Sequence, residues 1–526
     1  MKKFIALLLA LVMVLSLVAC GAEDSAPETA PEATNAPAVD AAPADTTAAE
    51  LEYVELDWYT VTRSKDTDLI QAALDEYFLE KLNCKVNVHW YDDAGFNEAV
   101  PTKVMSGEAV DMFFMGNSMP YATYADMGAL YPIDTLWDEY GPNVKGLFGE
   151  DVWNSLTRDD GHIYCVPTLK DNAYIIGYIY NENLANDLGL DMDNLGWMNF
   201  SQSEELLMDA RAKRDAMYPE YADMPLCNNL ATLNPYMFQL ENLSGGNLAV
   251  CNIPGLEVEP SAGTDTVYSF FETDAFREYC LMYQRMVENG IVAYDYSVFE
   301  RNVRYEYSTL LSASWGNTYI APNIYGDEFN SKLVVFDSTW TDTSNYVSAA
   351  TCIGVNCKDP ERAMMVIDLL NSDPELATLL RFGVEGEHWE KDADGKITLC
   401  NRNADPQNYG WLMWYGPNYG NVTIVNGPES HVGPDRVTLT RMAEYVNDAI
   451  LAPHMGFTVD TSTFSNELAA CNNVIAEYNY LINGQVESPE AVNAAVDELI
   501  AKLQANGIDK IVAEVQSQLD AWLASK

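Results

Sequence analysis

Aromatic and polar side chains near turns are the main candidates for ligand chemistry in this sequence. The densest aromatic segment reads NYGWLMWYGPNYGN and contains Trp411, Trp414 and Tyr415 among Gly, Asn and Pro residues. A Trp in such a loop needs either a ligand or a docking surface, and we favour a ligand. Further candidates stand where predicted strands end: Trp58, Tyr59, Asn117 and Ser118. For Trp58, packing in the core is an equally good interpretation.

The motifs of the common catalytic sites do not occur, since the sequence contains no GxSxG, HExxH, GxGxxG or phosphate-binding loop. Its five His residues show no paired spacing, and carboxylate pairs suited to glycoside hydrolysis arise by chance among 79 Asp and Glu residues. Residues 392–395 (DADG) resemble half of a calcium loop, but Asn403 stands at loop position twelve, where a Glu is needed. A hairpin turn is the better interpretation. We therefore predict no catalytic residue and no cofactor, and leave room for a structural calcium ion at a site that the sequence does not locate.

The charge of the chain excludes several classes of partner. The 526 residues include 29 Lys and Arg against 79 Asp and Glu, which gives a formal net charge of −50. Because phosphate groups are bound through basic patches, this surface repels nucleic acid and anionic lipid. Hydrophobic residues make up 48% of the chain, so the acidity belongs to a folded protein long enough for more than one domain.

The N-terminus has the features of an export signal. Lys2 and Lys3 precede an apolar run that is too short for a comfortable membrane span, so residues 1–19 are predicted to be a signal peptide. Residues 17–20 (LVAC) resemble the bacterial lipobox, in which the Cys, here Cys20, becomes the first residue and carries lipid. An ordinary signal peptide with an incidental Cys is the alternative. Residues 20–50 are rich in Ala, Pro, Thr and acidic residues, and we expect a disordered stalk that tethers the protein at the extracellular face of the cytoplasmic membrane.

Hydrophobic periodicity predicts an α/β protein. A strand at 51–58, a helix at 66–82 and a strand at 84–90 form an opening βαβ unit, and a buried strand follows at 110–116. The later predicted strands are 162–167, 174–180, 310–315, 333–336 and 346–355. The predicted helices are 273–288, 359–371, one that starts at a capping box of Ser372 and Glu375, and two near the C-terminus that begin at Pro489 and Ile508.

The Cys residues do not show the spacing of a disulfide scaffold or of a zinc site. Ten Cys occur without a CxxC motif, and most of those after Cys20 are expected to be buried apolar residues. Cys352 and Cys357 are the one close pair, and the sequence leaves open whether they form a disulfide.

The order of several short segments resembles the family 1 extracellular solute-binding proteins of ABC transporters. These segments are residues 160–167 (DGHIYCVP), 178–184 (YIYNENL), 188–190 (LGL), 314–316 (SWG) and 359–363 (DPERA). In that family the first two mark the first crossing of the chain between two lobes.

The tail resembles one branch of this family. Residues 371–376 (NSDPEL), 383–389 (GVEGEHW), 456–460 (GFTVD) and 505–510 (ANGIDK) look like the LipO-like branch, whose C-terminal domain has no assigned function.

The resemblance implies a two-lobed periplasmic-binding-protein-like fold of type II, in which each lobe is a mixed sheet flanked by helices, with a helical C-terminal region. We place lobe one at 51–173 plus 350–408 and lobe two at 174–349 plus 409–526. The implied function is capture of a small-molecule carbohydrate, an oligosaccharide, in the cleft between the lobes and its delivery to the permease subunits of an ABC transporter. A monomer that binds no nucleic acid and meets the membrane through its lipid anchor is expected.

Residues at the implied crossings extend the candidate ligand site. Lys170 and Asn172 lie at the first crossing, and Trp315 and Asn317 lie at a turn of the second lobe. Lys170 stands out because bases are scarce, although it is equally well interpreted as a solvated lysine bonded to Asp171. Two alternatives stay open: a surface-anchored carbohydrate-active enzyme, and the same fold binding a peptide or an acidic metabolite.

Overall fold

The computed structural model describes a large part of the chain from residue 51 onward. The described residues are 51–62, 64–116, 119–170, 172–174, 176–192, 200–227, 240–244, 247–256, 258–292, 298–300, 303, 306–307, 312–315, 331–335, 339–391, 393, 397–404, 409–412, 420–424, 446 and 448–526. The predicted signal peptide, Cys20 and the predicted stalk lie outside these residues.

The strands of the described residues are short after the first two. They are β1 (Val54–Val61), β2 (Cys84–Tyr91), β3 (Met112–Gly116), β4 (Cys165–Pro167), β5 (Ile176–Asn181), β6 (Leu240–Asn242), β7 (Val250–Asn252), β8 (Ser312–Trp315), β9 (Ser331–Val335), β10 (Trp340–Thr341), β11 (Ala349–Ile353), β12 (Trp389–Lys391), β13 (Ile397–Leu399) and β14 (Ile450–Leu451).

The helices of the described residues are distributed along the chain from Thr67 to Ser525. The α-helices are α1 (Thr67–Leu82), α2 (Asp93–Ser106), α3 (Tyr121–Asp126), α4 (Trp137–Tyr140), α5 (Pro142–Lys145), α6 (Glu150–Leu156), α7 (Glu182–Asp187), α8 (Phe200–Met217), α9 (Asp274–Glu288), α10 (Thr343–Val347), α11 (Pro360–Ser372), α12 (Pro374–Phe382), α13 (Ser465–Glu477), α14 (Asn479–Ile482), α15 (Pro489–Ala505) and α16 (Ile508–Ser525). Single 3₁₀ turns occur at Ile133–Thr135, Pro219–Tyr221, Phe270–Glu272, Asn401–Asn403, Val422–Ile424 and Thr461–Thr463.

The first sheet has the order β2-β1-β3-β11-β4. β1 pairs in parallel with β2 and β3, whereas β11 runs antiparallel to β3 and β4. The sheet is therefore mixed, as predicted, and its last two strands come from segments of the chain that lie far apart in sequence. The second half of β1 is buried at every position, which is typical of a strand covered on both faces.

A smaller sheet has the order β8-β5-β9, and β5 runs antiparallel to both neighbours. The chain enters it directly after the first predicted crossing. Two further antiparallel pairs are β6–β7 and β12–β13. The β12–β13 pair confirms the predicted hairpin around residues 392–395, since Lys391 lies opposite Ile397.

Two large hydrophobic cores contain side chains of these two sheets. The first core contains the buried side chains of the first sheet and of α1, α6, α11 and α12, including Trp58, Phe78, Phe113, Ile367 and Trp411. The second core contains the buried side chains of α8, α9 and the C-terminal helices, including Phe270, Phe276, Tyr283, Trp340 and Leu499.

The C-terminal helices confirm their predicted starts. Ser488 caps α15, where its side chain accepts a hydrogen bond from the N–H of Ala491 and Pro489 occupies the first turn. The apolar stripes of α15 and α16 are buried in the second core, where α15 packs against α9. These helices are therefore part of the body that surrounds the second core.

Two local predictions differ from the structure. Asp373, not Ser372, caps α12, because its carboxylate accepts hydrogen bonds from the N–H groups of Glu375 and Leu376. The predicted strand at 346–355 is a short helix, α10, followed by β11, since Asp342 caps a helix at its start.

The passage of the chain from the first core back to the second lies later than residue 408. Trp411 is fully buried in the first core, and the N–H of Asn421 donates to the carbonyl of Leu370 on α11. Ile450 packs on the second core. The structure therefore places residues 409–412 and 420–424 with the first core, beyond the predicted lobe boundary.

The described Cys residues are all free thiols, so Cys352 and Cys357 are not paired. Cys352 is buried in β11, and Cys357 is half-buried in the loop that follows. Within the described residues, no helix is long and apolar enough to cross a membrane.

Candidate functional site

The two cores are joined by chain segments that hydrogen bond side by side. The N–H of Tyr174 donates to the carbonyl of Trp340 at 2.6 Å, and the Thr341 hydroxyl donates to the carbonyl of Asn172 at 2.7 Å. On the other side, the N–H of Ala452 donates to the carbonyl of Thr341 at 2.8 Å. Residues 172–174, 339–342 and 450–452 therefore lie side by side at the junction between the cores.

Asn172 braces this junction from within. Its side chain is fully buried, and its amide group donates to the carbonyls of Thr168 at 3.1 Å and Asn345 at 3.2 Å. Its side-chain oxygen accepts the N–H of Lys170 at 2.8 Å. The predicted ligand residue Asn172 thus has both ends of its amide engaged with backbone, and Lys170 lies beside it with a half-buried side chain.

Asp342 is a buried carboxylate at the same junction. It accepts the Ser344 hydroxyl at 2.6 Å, and the Tyr174 hydroxyl lies 2.8 Å from Ser344 Oγ and 3.3 Å from Asp342 Oδ1. Burial raises the pKa of Asp342 to about 6, with a further increase from the charge of Glu241, while the hydrogen bonds lower it. Tyr174 also packs on Trp340, with ring centroids 4.3 Å apart. No sequence motif indicates this group, because Tyr174 lies 168 residues from Asp342.

The predicted aromatic site at the end of β1 is built around buried rings. Trp58 is fully buried, and its ring centroid lies 6.4 Å from that of Trp90. Tyr59 points to the other face, where it stacks on His89 with centroids 4.3 Å apart. As placed here, Trp58 presents no surface to a ligand, and Tyr59 presents only 9% of its own.

Trp411 anchors the aromatic-rich loop to the first core. Its ring packs edge-on against Trp90 with centroids 5.1 Å apart, and its indole N–H donates to the carbonyl of Leu380 at 3.0 Å. Its backbone N–H donates to the side-chain oxygen of Asn403 at 3.0 Å. The side chain is fully buried, so in this structure Trp411 docks the loop and is not exposed to a ligand.

The loop after β1 is held by the same segment. The N–H groups of Lys65 and Asp66 both donate to the carbonyl of Gly410, and Ser64 Oγ exchanges hydrogen bonds with the backbone of Leu412. This places residues 409–412 at the carboxyl end of a parallel strand, the edge at which α/β sheets usually bind ligands.

Asp66 adds an ionic contact there. Its Oδ2 lies 3.3 Å from Nε2 of the fully buried His388 and 3.2 Å from Nη1 of Arg402. Nδ1 of His388 accepts the N–H of Val384, so the neutral ring carries its hydrogen on Nε2 and donates it to Asp66. Burial lowers the pKa of His388 and outweighs the opposing effect of Asp66.

The remaining predicted site residues cannot be placed against these groups. Asn117, Ser118, Asn317, Trp414 and Tyr415 lie outside the described residues, and only the backbone of Trp315 is described, at the end of β8 opposite Ile176. The predicted ligand contacts therefore stay predictions. Among the described residues, no cluster of three or more His, Cys, Asp or Glu side chains is arranged to hold a metal ion, and the structural calcium ion stays an expectation from the sequence.

Comparison with known proteins matches two parts of the chain to families. Residues 63–241 match the bacterial extracellular solute-binding protein family, and residues 453–524 match a domain of unknown function, DUF3502. This confirms the predicted family and the presence of a C-terminal domain without an assigned function, whereas the LipO-like branch stays a prediction.

Proteins that match most of the chain are also solute-binding proteins. A carbohydrate ABC transporter substrate-binding protein of Streptococcus pneumoniae serotype 4 (strain ATCC BAA-334 / TIGR4) is 22% identical over 487 residues, which cover 87% of this chain and 89% of the relative. The crystal structure of the N-glycan transport solute-binding protein NgtS from Streptococcus pneumoniae matches with a TM-score of 0.72 at 19% identity, over 89% of this chain and 99% of that one. The NgtS complex with Man5GlcNAc matches with a TM-score of 0.61 at 19% identity, over 90% and 99% of the two chains. The two-lobed α/β fold predicted from the sequence is confirmed.

Proposed function

We propose that this chain is a lipid-anchored extracellular solute-binding protein that captures an oligosaccharide between its two lobes and delivers it to an ABC permease. The observation that carries the proposal is the fold match to NgtS, which extends over 89% of this chain and 99% of that one. A match of that extent supports the same two-lobed arrangement along nearly the whole chain. The proposal includes the absence of catalytic activity.

The junction between the cores supports a capture mechanism by lobe closure. The joining segments are short and hydrogen bonded to one another, so they permit a change in angle without breaking either core. A ligand shifts the population of a two-state protein only by the difference in its affinity for the two states. Contacts that a sugar makes with both lobes at once supply that difference, and contacts with one lobe alone do not.

The charge and aromatic content of the chain fit a sugar. Sugars are neutral, with polar rims and apolar C–H faces, and they are bound by aromatic rings together with amide and carboxylate groups. The formal charge of −50 disfavours polyanionic ligands through long-range repulsion. Because the structural neighbour NgtS has been solved with the uncharged sugar Man5GlcNAc, this sugar is the first ligand to test.

Isothermal titration calorimetry of the full chain with Man5GlcNAc, a maltooligosaccharide and a fructooligosaccharide tests the proposal. We expect saturable binding of at least one of them with one ligand per chain, together with a rise in the melting temperature. A Lys510→Gln chain, altered at an exposed ion pair on α16, serves as the control and should bind equally well. Absence of heat and of any thermal shift across the panel would count against the proposal.

The same samples distinguish binding from catalysis. Incubation with each oligosaccharide should leave its length unchanged by mass spectrometry, because a solute-binding protein releases its ligand intact. Appearance of shorter sugars would overturn this part and favour the carbohydrate-active enzyme.

The lipid anchor rests on residues 17–20 (LVAC) and is tested separately. In cells, the N-terminal peptide of the mature chain should begin at Cys20 and carry lipid, including a fatty acid such as palmitate, and the protein should fractionate with the membrane. A Cys20→Ser variant should lose both properties. An unmodified N-terminus at another residue would contradict the anchor.

A further inference from the structure

We propose that residues 450–457, called the strap below, give the C-terminal domain of unknown function a role: the strap restrains the angle between the two lobes. The proposal rests on the proposed capture between lobes and concerns the regulation of that site. It assigns a mechanical function to the segment that enters residues 453–524.

The start of the strap is attached to the junction. β14 pairs in parallel with β10, and the N–H groups of Ile450 and Ala452 donate to the carbonyls of Thr339 and Thr341 at 2.9 and 2.8 Å. Thr341 in turn donates its hydroxyl to the carbonyl of Asn172. Movement of the junction is therefore transmitted to the strap through backbone hydrogen bonds.

The middle of the strap touches both lobes. The Met455 side chain packs on the first core and on the second core. Gly456 has φ +91°, and a Cβ atom there would lie 3.3 Å from Cα and 3.4 Å from the carbonyl oxygen of Ser155, on α6 of the first lobe. Its N–H donates to the Thr343 hydroxyl at 2.7 Å. Only a residue without a side chain allows the strap to lie this close to α6.

The residues on either side of Met455 and Gly456 are fixed in the second lobe. His454 is fully buried, with Nδ1 at 2.6 Å from Oε2 of Glu241 on β6 and Nε2 at 3.2 Å from Oδ1 of Asp265. Phe457 packs edge-on against Trp522 of α16, with ring centroids 5.7 Å apart. The strap is thus anchored on both sides to one lobe while its centre bears on the other.

This arrangement makes the contact at Met455 and Gly456 sensitive to the angle between the lobes. A change in angle slides α6 past the strap, because the strap moves with the second lobe. Loss of the contact removes a restraint on that angle, so the protein samples a broader range of angles. The fraction of the protein in the conformation that binds ligand then changes, and the apparent ligand affinity changes with it.

The test compares variants of the full chain by distance measurement between labels placed with unnatural amino acids at Glu80 on α1 and Glu278 on α9, both exposed. Met455→Ala and Gly456→Ala should broaden the distance distribution without ligand. They should also change the apparent Kd for a bound oligosaccharide at least threefold.

Two control variants destabilise the same domain without touching the first lobe. Gly484 has φ +69°, and a Cβ there would lie 2.8 Å from the carbonyl oxygen of Tyr283, so Gly484→Ala strains the backbone within the second lobe. Leu468→Ala removes a half-buried side chain that packs on the second core alone. Both should lower the melting temperature and leave the distance distribution unchanged.

The outcomes separate the strap from the proposed function. Unchanged distributions in folded Met455→Ala and Gly456→Ala chains would overturn the strap, and so would broadening in the two controls. If no sugar binds while the two strap variants still broaden the distribution, the strap stands and the proposed function fails.

Discussion

Nδ1 of His454 lies 2.6 Å from Oε2 of Glu241, and both side chains are buried. The other ring nitrogen faces Asp265, so each nitrogen of the imidazole meets a carboxylate, which accepts hydrogen bonds but does not donate them. The ring satisfies both partners only when it is protonated. Burial opposes that charge, and the hydrogen bonds and charges of Glu241 and Asp265 outweigh burial and raise the pKa of His454.

This ion cluster predicts that stability falls as the pH rises above neutrality. A His whose folded pKa exceeds its unfolded value of about 6.5 contributes stability that is complete below that value and is lost as the pH rises through the folded pKa. The groups that face His454 are Glu241, Asp265 and, through the charge of Glu241, Asp342. The melting temperature of the full chain between pH 6 and pH 9, measured in parallel with His454→Gln, should show this loss in the wild type only. An equal decline in both chains would refute the assignment.

Asp342 should make its own contribution at lower pH. Its folded pKa of about 6 lies above its ordinary value of 3.8, so the stability it contributes is complete below that ordinary value and is lost as the pH rises to about 6. The difference corresponds to about 3 kcal/mol at neutral pH. Asp342→Asn keeps an oxygen acceptor for Ser344 and removes the charge.

We therefore expect the Asp342→Asn chain to be more stable than wild type at pH 8 and equal to it near pH 4. Chemical unfolding at the two pH values measures this difference. Ser344→Ala is a suitable control, because it removes a hydrogen bond to the carboxylate and should destabilise the chain at pH 8.

The elements that depend on local sequence could be predicted closely. The apolar spacing of residues 66–82 predicted α1, and Ser488 with Pro489 predicted the start of α15. Both predictions succeed because helical periodicity and capping act within a few residues. The start of α12 was misplaced by one residue, since Ser372 and Asp373 are both good capping residues and only the backbone geometry selects between them.

The candidate site was harder to predict than the fold. Trp58 and Trp411 stand in segments of unlike composition, but Trp90 brings them into one aromatic group, a long-range contact that neither segment encodes. Asn172 was recognised as special, yet its role as a brace depends on the carbonyl of Asn345, which lies 173 residues away. The ion cluster of His454 could not be predicted for the same reason, because Glu241 and Asp265 lie more than 180 residues upstream of His454.

Trp411 is predicted to be a structural anchor whose loss is costly. Removing a fully buried Trp side chain costs about 3 to 5 kcal/mol, and the carbonyl of Leu380 also loses its donor. Guanidinium unfolding should show this loss for Trp411→Ala and a smaller one for Trp411→Phe. Trp522→Ala, at a half-buried Trp on α16, should cost less than Trp411→Ala. A loss of under about 1 kcal/mol for Trp411→Ala would contradict the buried placement.

Asn172 and Lys170 are neighbours, but their substitutions are predicted to affect different properties. Substitution of Asn172 should lower stability, and substitution of Lys170 should lower ligand affinity. Asn172→Ala leaves the carbonyls of Thr168 and Asn345 without their donor in a buried site and should lower stability by about 1 to 3 kcal/mol. Asn172→Asp keeps the acceptor for the N–H of Lys170 but not the donors, and should be no more stable than Asn172→Ala because it also buries a charge.

Lys170→Gln leaves these backbone contacts in place, because the interaction with Asn172 uses the Lys170 N–H and not its side chain. If Lys170 contacts the ligand as the sequence predicts, the variant should lose tenfold or more in affinity, equivalent to about 1.4 kcal/mol. Calorimetry with the oligosaccharide bound by wild type measures the affinity, and thermal unfolding without ligand measures the stability. Unchanged affinity would remove Lys170 from the ligand site.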